Sequence, residues 1–199
     1  MTKFRRLIWM VIAAVGLMLS ISQSQAQLRQ PDVGDQPGLI ADDSVELDPE
    51  FRKTAVLYRT NEAPGTIIVQ TAERHLYLIQ GNGRALRYGI GVGRDGFRWQ
   101  GLVKITQKKE WPDWTPPEEM IQRQPYLPRW MAGGPGNPLG ARAMYLGATV
   151  YRIHGTNQPT TIGTAVSSGC FRLTNPDVAD LYDRVPVGTK VIIRQRPEV

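Results

Sequence analysis

Cysteine is almost missing from this sequence: 199 residues hold one, Cys170, beside two histidines, His75 and His154. A single thiol cannot build a disulfide framework, and three soft ligands in all are too few for a zinc site of the usual kind, so no metal is expected. Long apolar runs are missing too. The longest, Leu7 to Leu19, is shorter than the roughly 20 residues that span a bilayer. Lys3, Arg5 and Arg6 precede it and Ser24-Gln25-Ala26 follow, the order of an export signal cut after Ala26, which sets residues 1–26 apart. No cysteine follows that cut to take a lipid, and no internal repeat is visible downstream. Exported proteins commonly carry their cysteines in pairs, so a solitary one needs a reason, the plainest being a buried thiol acting as a small apolar side chain.

Charge is unevenly spread. The formal total is +6, yet Gln27 to Glu50 holds one arginine against seven acids, a local −6, and Phe51 to Val199 carries +9. The acidic stretch also contains Pro31, Gly34, Pro37, Gly38 and Pro49 without apolar periodicity. Residues 27–61 therefore read as a tether or loosely packed arm, and 62–196 as the working domain. A basic surface attracts polyanions, whether nucleic acid, anionic lipid or a polymer rich in carboxylates. Export argues against nucleic acid; solubility alone would also account for the charge.

From Thr66 onward the texture changes to short β-branched and aromatic runs bounded by glycine or proline: Thr66 to Thr71, His75 to Gln80, Leu86 to Val92 in alternation, Leu102 to Lys108, Ala143 to Leu146, Thr149 to Ile153 and Lys190 to Arg194. Gly81-Asn82-Gly83 tolerates positive φ and predicts a hairpin between the second and third runs. One helix is signalled near the end. Asn175 is placed to cap it, Pro176 suits its first turn, Val178, Leu181, Tyr182 and Val185 share a face, and Pro186 and Gly188 stop it. The expected fold class is mainly β: a β-sandwich or open barrel of mixed sheets, with one short helix after the cysteine loop. Between the strands, Trp111 to Gly140 is crowded with tryptophan and proline, a long loop whose aromatics either shield a cleft, stack on sugar rings or plug the end of the sandwich.

His154 ends a predicted strand in Ile153-His154-Gly155-Thr156-Asn157, and Cys170 follows in Ser167-Ser168-Gly169-Cys170-Phe171-Arg172-Leu173. A strand end puts an imidazole at a sheet rim, and Gly155 and Gly169 permit the turns that bring two such loops together. A thiol is only slightly ionised near neutrality, so a nucleophilic cysteine needs a base or cation beside it, and His154 and Arg172 are available. Main-chain N–H groups around Ser168 and Gly169 are candidates for holding an oxyanion. Singly, each residue has a structural explanation; together they fit acyl transfer. His75, in mid-strand without such neighbours, reads as structural.

The segments His154-Gly155-Thr156-Asn157, Ile162-Gly163 and Ser168-Gly169-Cys170-Phe171-Arg172-Leu173 resemble the signature of the L,D-transpeptidase catalytic domains of YkuD type. The likeness extends to Tyr88-Gly89-Ile90-Gly91-Val92-Gly93, Gly133-Gly134-Pro135-Gly136-Asn137-Pro138-Leu139-Gly140 and Pro186-Val187-Gly188-Thr189-Lys190-Val191, covering about Thr66 to Arg194. It implies that Cys170 attacks the third residue of a peptidoglycan stem tetrapeptide, expels D-alanine and forms a thioester. An amine of a second stem peptide, or of an outer-membrane protein, then resolves it. It also implies that His154 is base and then acid, that backbone groups near Gly155 orient it, that amides near Gly169 and Cys170, next to Ser168, hold the oxyanion, and that Arg172 and Asn157 meet substrate. No cofactor is implied, and the setting is the periplasm of a Gram-negative envelope. Many relatives carry histidine where this chain has Ser168, which bears on acceptor choice, and the wall-binding repeats of some relatives are missing here. Water in place of the amine would make the same site a carboxypeptidase or endopeptidase; a silent wall-binding protein is the reading from another class.

Overall fold

The computed structural model describes residues 36–195; the export signal with its cut at Ala26, and the first part of the acidic arm, lie outside the described residues. Alternation builds the main sheet. In β2 (Ile67–Gln70), Ile67 and Val69 turn to one cluster of buried side chains and Ile68 to another, so a strand covered on both faces reads as an unbroken apolar run. β3 (His75–Gly81) and β4 (Arg84–Gly89) form the expected hairpin, with φ of 83°, 52° and 68° at Gly81, Asn82 and Gly83.

The remaining strands are β1 (Thr54–Leu57), β5 (Val92–Gly93), β6 (Gly101–Glu110), β7 (Arg142–Leu146), β8 (Arg152–His154), β9 (Ala165–Ser167), β10 (Phe171–Arg172) and β11 (Lys190–Arg194). Nine of the eleven described strands lie in the order β1-β4-β3-β2-β11-β6-β7-β8-β10, while β5 and β9 pair apart. The sheet is mixed: β11 runs parallel to β2 and antiparallel to β6, and β10 runs parallel to β8. Gly91, just beyond β4, exchanges two main-chain hydrogen bonds of 2.9 Å with Arg172 of β10. The last strand is thereby turned back toward the hairpin, and the sheet curls into an open barrel.

Inside lie Leu76, Tyr88, Ile105, Met144, Ile153 and Phe171, closed by the helix α2 (Asn175–Arg184) through Val178, Leu181 and Val185. The cap of this helix is Thr174, whose hydroxyl accepts from the Asp177 amide at 3.3 Å, rather than Asn175. Asn175 serves the fold differently: its Oδ1 accepts from the Ala141 amide at 2.9 Å and its Nδ2 donates to Asp43 at 3.2 Å. Tyr88, wholly buried, donates to Asp180 at 2.7 Å, and Arg184 grips the same carboxylate at 2.8 and 3.0 Å, tying the helix to β4.

Two expectations need correction. The described part of the arm is not loosely packed. Thr54–Leu57 joins the sheet as an edge strand against β4, and Phe51 packs on Gly89 and Gly163 so closely that neither could carry a Cβ. His75, buried as a structural histidine, bonds through Nε2 with the Glu50 carbonyl at 3.1 Å and holds that arm down. The tryptophan and proline segment also contains a helix, α1 (Glu118–Arg123), that proline-rich surroundings had obscured.

Replacing the capping hydroxyl in Thr174→Ala should cost about 1 kcal/mol, the usual value for a lost N-cap. Urea titration should show a lower midpoint at unchanged slope; an unmoved midpoint would mean that helix formation does not rest on this cap.

Candidate active site

The site follows from one register. β8 and β10 run side by side with Ile153 opposite Phe171 and His154 opposite Arg172. Successive side chains of a strand point to opposite faces, so Ile153 and Phe171 turn into the core together, 0% and 1% exposed. His154, Arg172 and Arg152 then share the other face, and so does Cys170, one step before β10. The Leu173 amide donates to the His154 carbonyl at 2.9 Å and the Gly155 amide to the Arg142 carbonyl at 3.0 Å, which fixes both strand ends. Cys170 and His154 line the same narrow cleft, about 40 Å³ in volume, with Ser168, Tyr151, Trp114 and Met120 around them. That volume holds a carbonyl group or a water molecule. A wider hollow of about 640 Å³ lies between Leu102 and Ile192 but carries neither cysteine nor histidine.

His154 is 2% exposed, and its Nδ1 lies 2.6 Å from the Gly155 carbonyl oxygen. A carbonyl can only accept, so Nδ1 carries the proton and Nε2 presents a lone pair. Burial is the main reason that the imidazole is pushed down to about 3. The Arg172 charge adds to it, the Gly155 carbonyl opposes it, Arg152 lowers it further and the Leu139 carbonyl opposes. Near neutrality the ring is uncharged and able to accept a proton through one defined nitrogen.

The cysteine loop is held from four directions. Ser167 Oγ donates to the Cys170 carbonyl at 2.7 Å and accepts from the Gly169 amide at 3.2 Å. The Arg94 amide donates to the Ser167 carbonyl at 3.0 Å. Trp99 donates its indole N–H to the Gly169 carbonyl at 3.0 Å while stacking on Tyr151 and Phe171 at 4.7 and 5.8 Å. Gly169 has φ +106°, and the Tyr151 ring fills the space a Cβ would need, so only glycine fits. Arg123, at the end of α1, donates to Ser168 Oγ at 3.3 Å.

The tryptophan and proline segment is a small folded unit. Trp114 and Met131 exchange two main-chain bonds of 2.8 Å, and Trp114, Met120, Ile121, Leu127 and Leu139 form their own cluster. Asn137, fully buried, donates to the carbonyls of Pro112 and Ala132 at 3.1 and 3.0 Å and accepts from the Leu139 amide at 2.9 Å. Trp114 and Met120 wall the cleft, whereas Trp111, Tyr126 and Trp130 face outward.

Of the residues singled out in the sequence, Cys170, His154, Ser168 and Arg172 meet in this cleft. Gly155 does so through its carbonyl, which fixes His154. Asn157 does not: it is buried and its amide donates to the carbonyls of Gln36, Leu39 and Gly136 at 2.8, 3.1 and 3.3 Å, fastening the arm to a distant loop. Nor does the Gly169 amide face a reacting group, since Ser167 takes it; this glycine shapes the turn instead. Arg172 is 1% exposed, so its charge acts on His154 from beneath the cleft more than on anything entering it. Sequence reading missed Trp99, Tyr151 and Arg123, and took Ser167 only as part of the turn and not for its hydroxyl. Ser167 alone carried a local signal, as a hydroxyl ahead of a glycine turn.

Residues 64–193 match the family profile described as the L,D-transpeptidase catalytic domain. The chain is 39% identical over 140 residues to the "Probable L,D-transpeptidase ErfK/SrfK" of Escherichia coli K12, covering 66% of this chain and 44% of that protein. It is 38% identical over 141 residues to "Probable L,D-transpeptidase YbiS" of the same strain, covering 66% and 45%. The chain thus spans just under half the length of these relatives. Among solved structures, one from Brucella melitensis is 50% identical, covers 74% of this chain and 96% of that one with a TM-score of 0.50, and is described as a "Probable carnitine operon oxidoreductase caia". An L,D-transpeptidase from Mycobacterium smegmatis shares the fold at 17% identity, with a TM-score of 0.52 over 65% of this chain and 58% of that one.

The direction of the His154 shift fixes a pH dependence of stability. The folded chain binds this proton less readily than the unfolded chain, so stability present above the ordinary value of 6.5 is lost as pH falls toward 3. His75, lowered chiefly by burial, acts in the same sense. Urea midpoints measured from about pH 7.5 down to about 4.5 should fall, and His154→Gln should flatten the fall. A wild-type midpoint that rises on acidification would contradict a buried neutral imidazole.

Proposed function

Because the chain belongs to the family of L,D-transpeptidase catalytic domains, we propose that this cleft transfers acyl groups between peptidoglycan stem peptides, with Cys170 as nucleophile and His154 as base. The observation that carries the reading is the parallel pairing of β8 with β10, which turns Cys170 and His154 to one face and one cleft. The oxidoreductase named for the Brucella relative is that protein's description, and a thiol beside a neutral imidazole speaks for acyl transfer.

In the first half-reaction the thiol proton passes to His154 Nε2 as sulfur attacks the carbonyl of the third stem residue. The tetrahedral intermediate collapses, its C–N bond to D-alanine breaks, and the departing amine takes the proton back from His154. What remains is a thioester on Cys170. In the second half, the amine of another stem peptide attacks this thioester and loses its proton to His154; the C–S bond then breaks and His154 returns that proton to sulfur, restoring the thiol. A buried imidazole flanked by Arg172 and Arg152 holds its proton weakly. The resting ring is therefore neutral, the proton moves as the S–C bond forms, and the imidazolium is a ready acid for the leaving amine. The Gly155 carbonyl keeps the reactive nitrogen aimed throughout. The basic chain suits a carboxylate-rich wall polymer, and the amino-terminal pattern suits export to the envelope.

Incubation with disaccharide tetrapeptide, read by mass, tests this. Loss of D-alanine and appearance of a cross-linked dimer are expected, tripeptide alone would point to hydrolysis, and Cys170→Ala should abolish both. With the ring held near 3, kcat/KM for acylation should stay level from about pH 7.5 to about pH 5. An acid limb centred on 6.5 would mean that His154 titrates like an exposed histidine and is not the base described.

A further inference from the structure

Resting on the transpeptidase reading, we propose that Arg123 is a specificity residue whose guanidinium binds a carboxylate of the stem peptide at the cleft rim. Four arginines of the described chain, Arg52, Arg98, Arg142 and Arg184, are each ion-paired with a carboxylate of the protein. Arg123 is not. It is exposed, and among the described residues its one hydrogen bond is to Ser168 Oγ at 3.3 Å, a long contact that engages one of its five N–H donors. Its guanidinium carbon lies over the Phe97 ring, 5.1 Å from the centroid, where a cation is favoured.

The placement matters because Arg123 hangs from α1, whose Met120 walls the cleft, and meets Ser168, which lines it. Ser168 and Cys170 are two residues apart, so their Cα atoms lie within about 7 Å of each other. Arg123 thus reaches the loop that carries the thiol, at the rim of the same cleft. Among the described residues no acid lines the cleft, so a carboxylate entering it meets positive charge from Arg152 and Arg172 as well. A planar guanidinium with spare donors holds such a group through two parallel hydrogen bonds, displacing the weaker contact to Ser168. A mere latch between α1 and the cysteine loop would use the same Arg123–Ser168 contact, and the two roles separate on substitution.

The test uses the full chain with stem tetrapeptides amidated at one carboxylate at a time, scored by release of D-alanine. For the wild type, one of these amidations should lower kcat/KM about tenfold, as loss of a charge-assisted contact at an exposed rim implies. Arg123→Ala should lose about the same factor on the unmodified peptide and then be indifferent to that amidation, while Arg123→Lys should recover part of it. Ser168→Ala should keep the wild-type preference between free and amidated peptide; loss of that preference would convert Arg123 into a latch and overturn the proposal. Equal cost of every amidation in wild type and Arg123→Ala would also overturn it. Alkylation of Cys170 by neutral iodoacetamide at the wild-type rate shows that the variant cleft is intact. Failure of the wild type to process any of the peptides would instead defeat the transpeptidase reading itself.

Discussion

The site depends on two short strands lying parallel. A pair of two or three residues is too short to hold itself together by main-chain bonds, and parallel neighbours cannot be joined by a tight turn. The pairing of Arg152–His154 with Phe171–Arg172 survives because its inward side chains are buried without remainder. Ile153, Phe171 and Leu173 are each 1% exposed or less, and full burial of such a side chain contributes about 1.5–3 kcal/mol. Hydrogen bonds close both flanks, from Leu173 to His154 and between Arg172 and Gly91. Core packing on one face thus dictates which side chains meet on the other.

Burial of His154 has two consequences that come from the same cause. Desolvation and the neighbouring arginines keep the ring neutral, and neutrality leaves only two tautomers. The Gly155 carbonyl at 2.6 Å chooses between them. Asn175 supports that choice from behind, packing its carbonyl oxygen so tightly on Gly155 and Gly140 that neither has room for a side chain. The helix after the cysteine loop therefore reaches the site through Asn175 and not through its cap, which Thr174 provides.

Much of this was legible in the sequence where a local rule operates. The hairpin at Gly81-Asn82-Gly83, the paired faces of β2 and the apolar stripe of α2 each follow from residue type and spacing within one element. Cys170 and His154 stood out because each is rare and sits next to a glycine. What could not be read is what only tertiary contact decides. Asn157 looked like a ligand-facing amide, yet the carbonyls that occupy it belong to Gln36, Leu39 and Gly136, far off in the chain. Trp99 and Tyr151 stack on each other and clamp Gly169 across 70 and 18 positions of sequence, separations at which periodicity carries no information. The strand Thr54–Leu57 was hidden by the acidic, proline-bearing stretch before it and by its own mostly exposed side chains, which show no buried alternation.

The arrangement of charge around the cleft involves a compromise. Burial, and after it Arg172 and Arg152, make the imidazole a poor proton acceptor, which by itself would slow removal of the thiol proton. The same positive charges favour sulfur as it becomes thiolate and oxygen as it becomes an oxyanion, and both forms develop in the proposed attack. The base is weakened at rest while the anions of the transition state are stabilised, so the net effect favours steps in which proton transfer and S–C bond formation occur together. Acids are kept away from this balance: Asp180 is taken up by Tyr88, Lys53 and Arg184, Glu62 by Lys190, and among the described residues none lines the cleft. A carboxylate introduced there, for instance at Ser168, would raise the proton affinity of His154 and repel both developing anions at once.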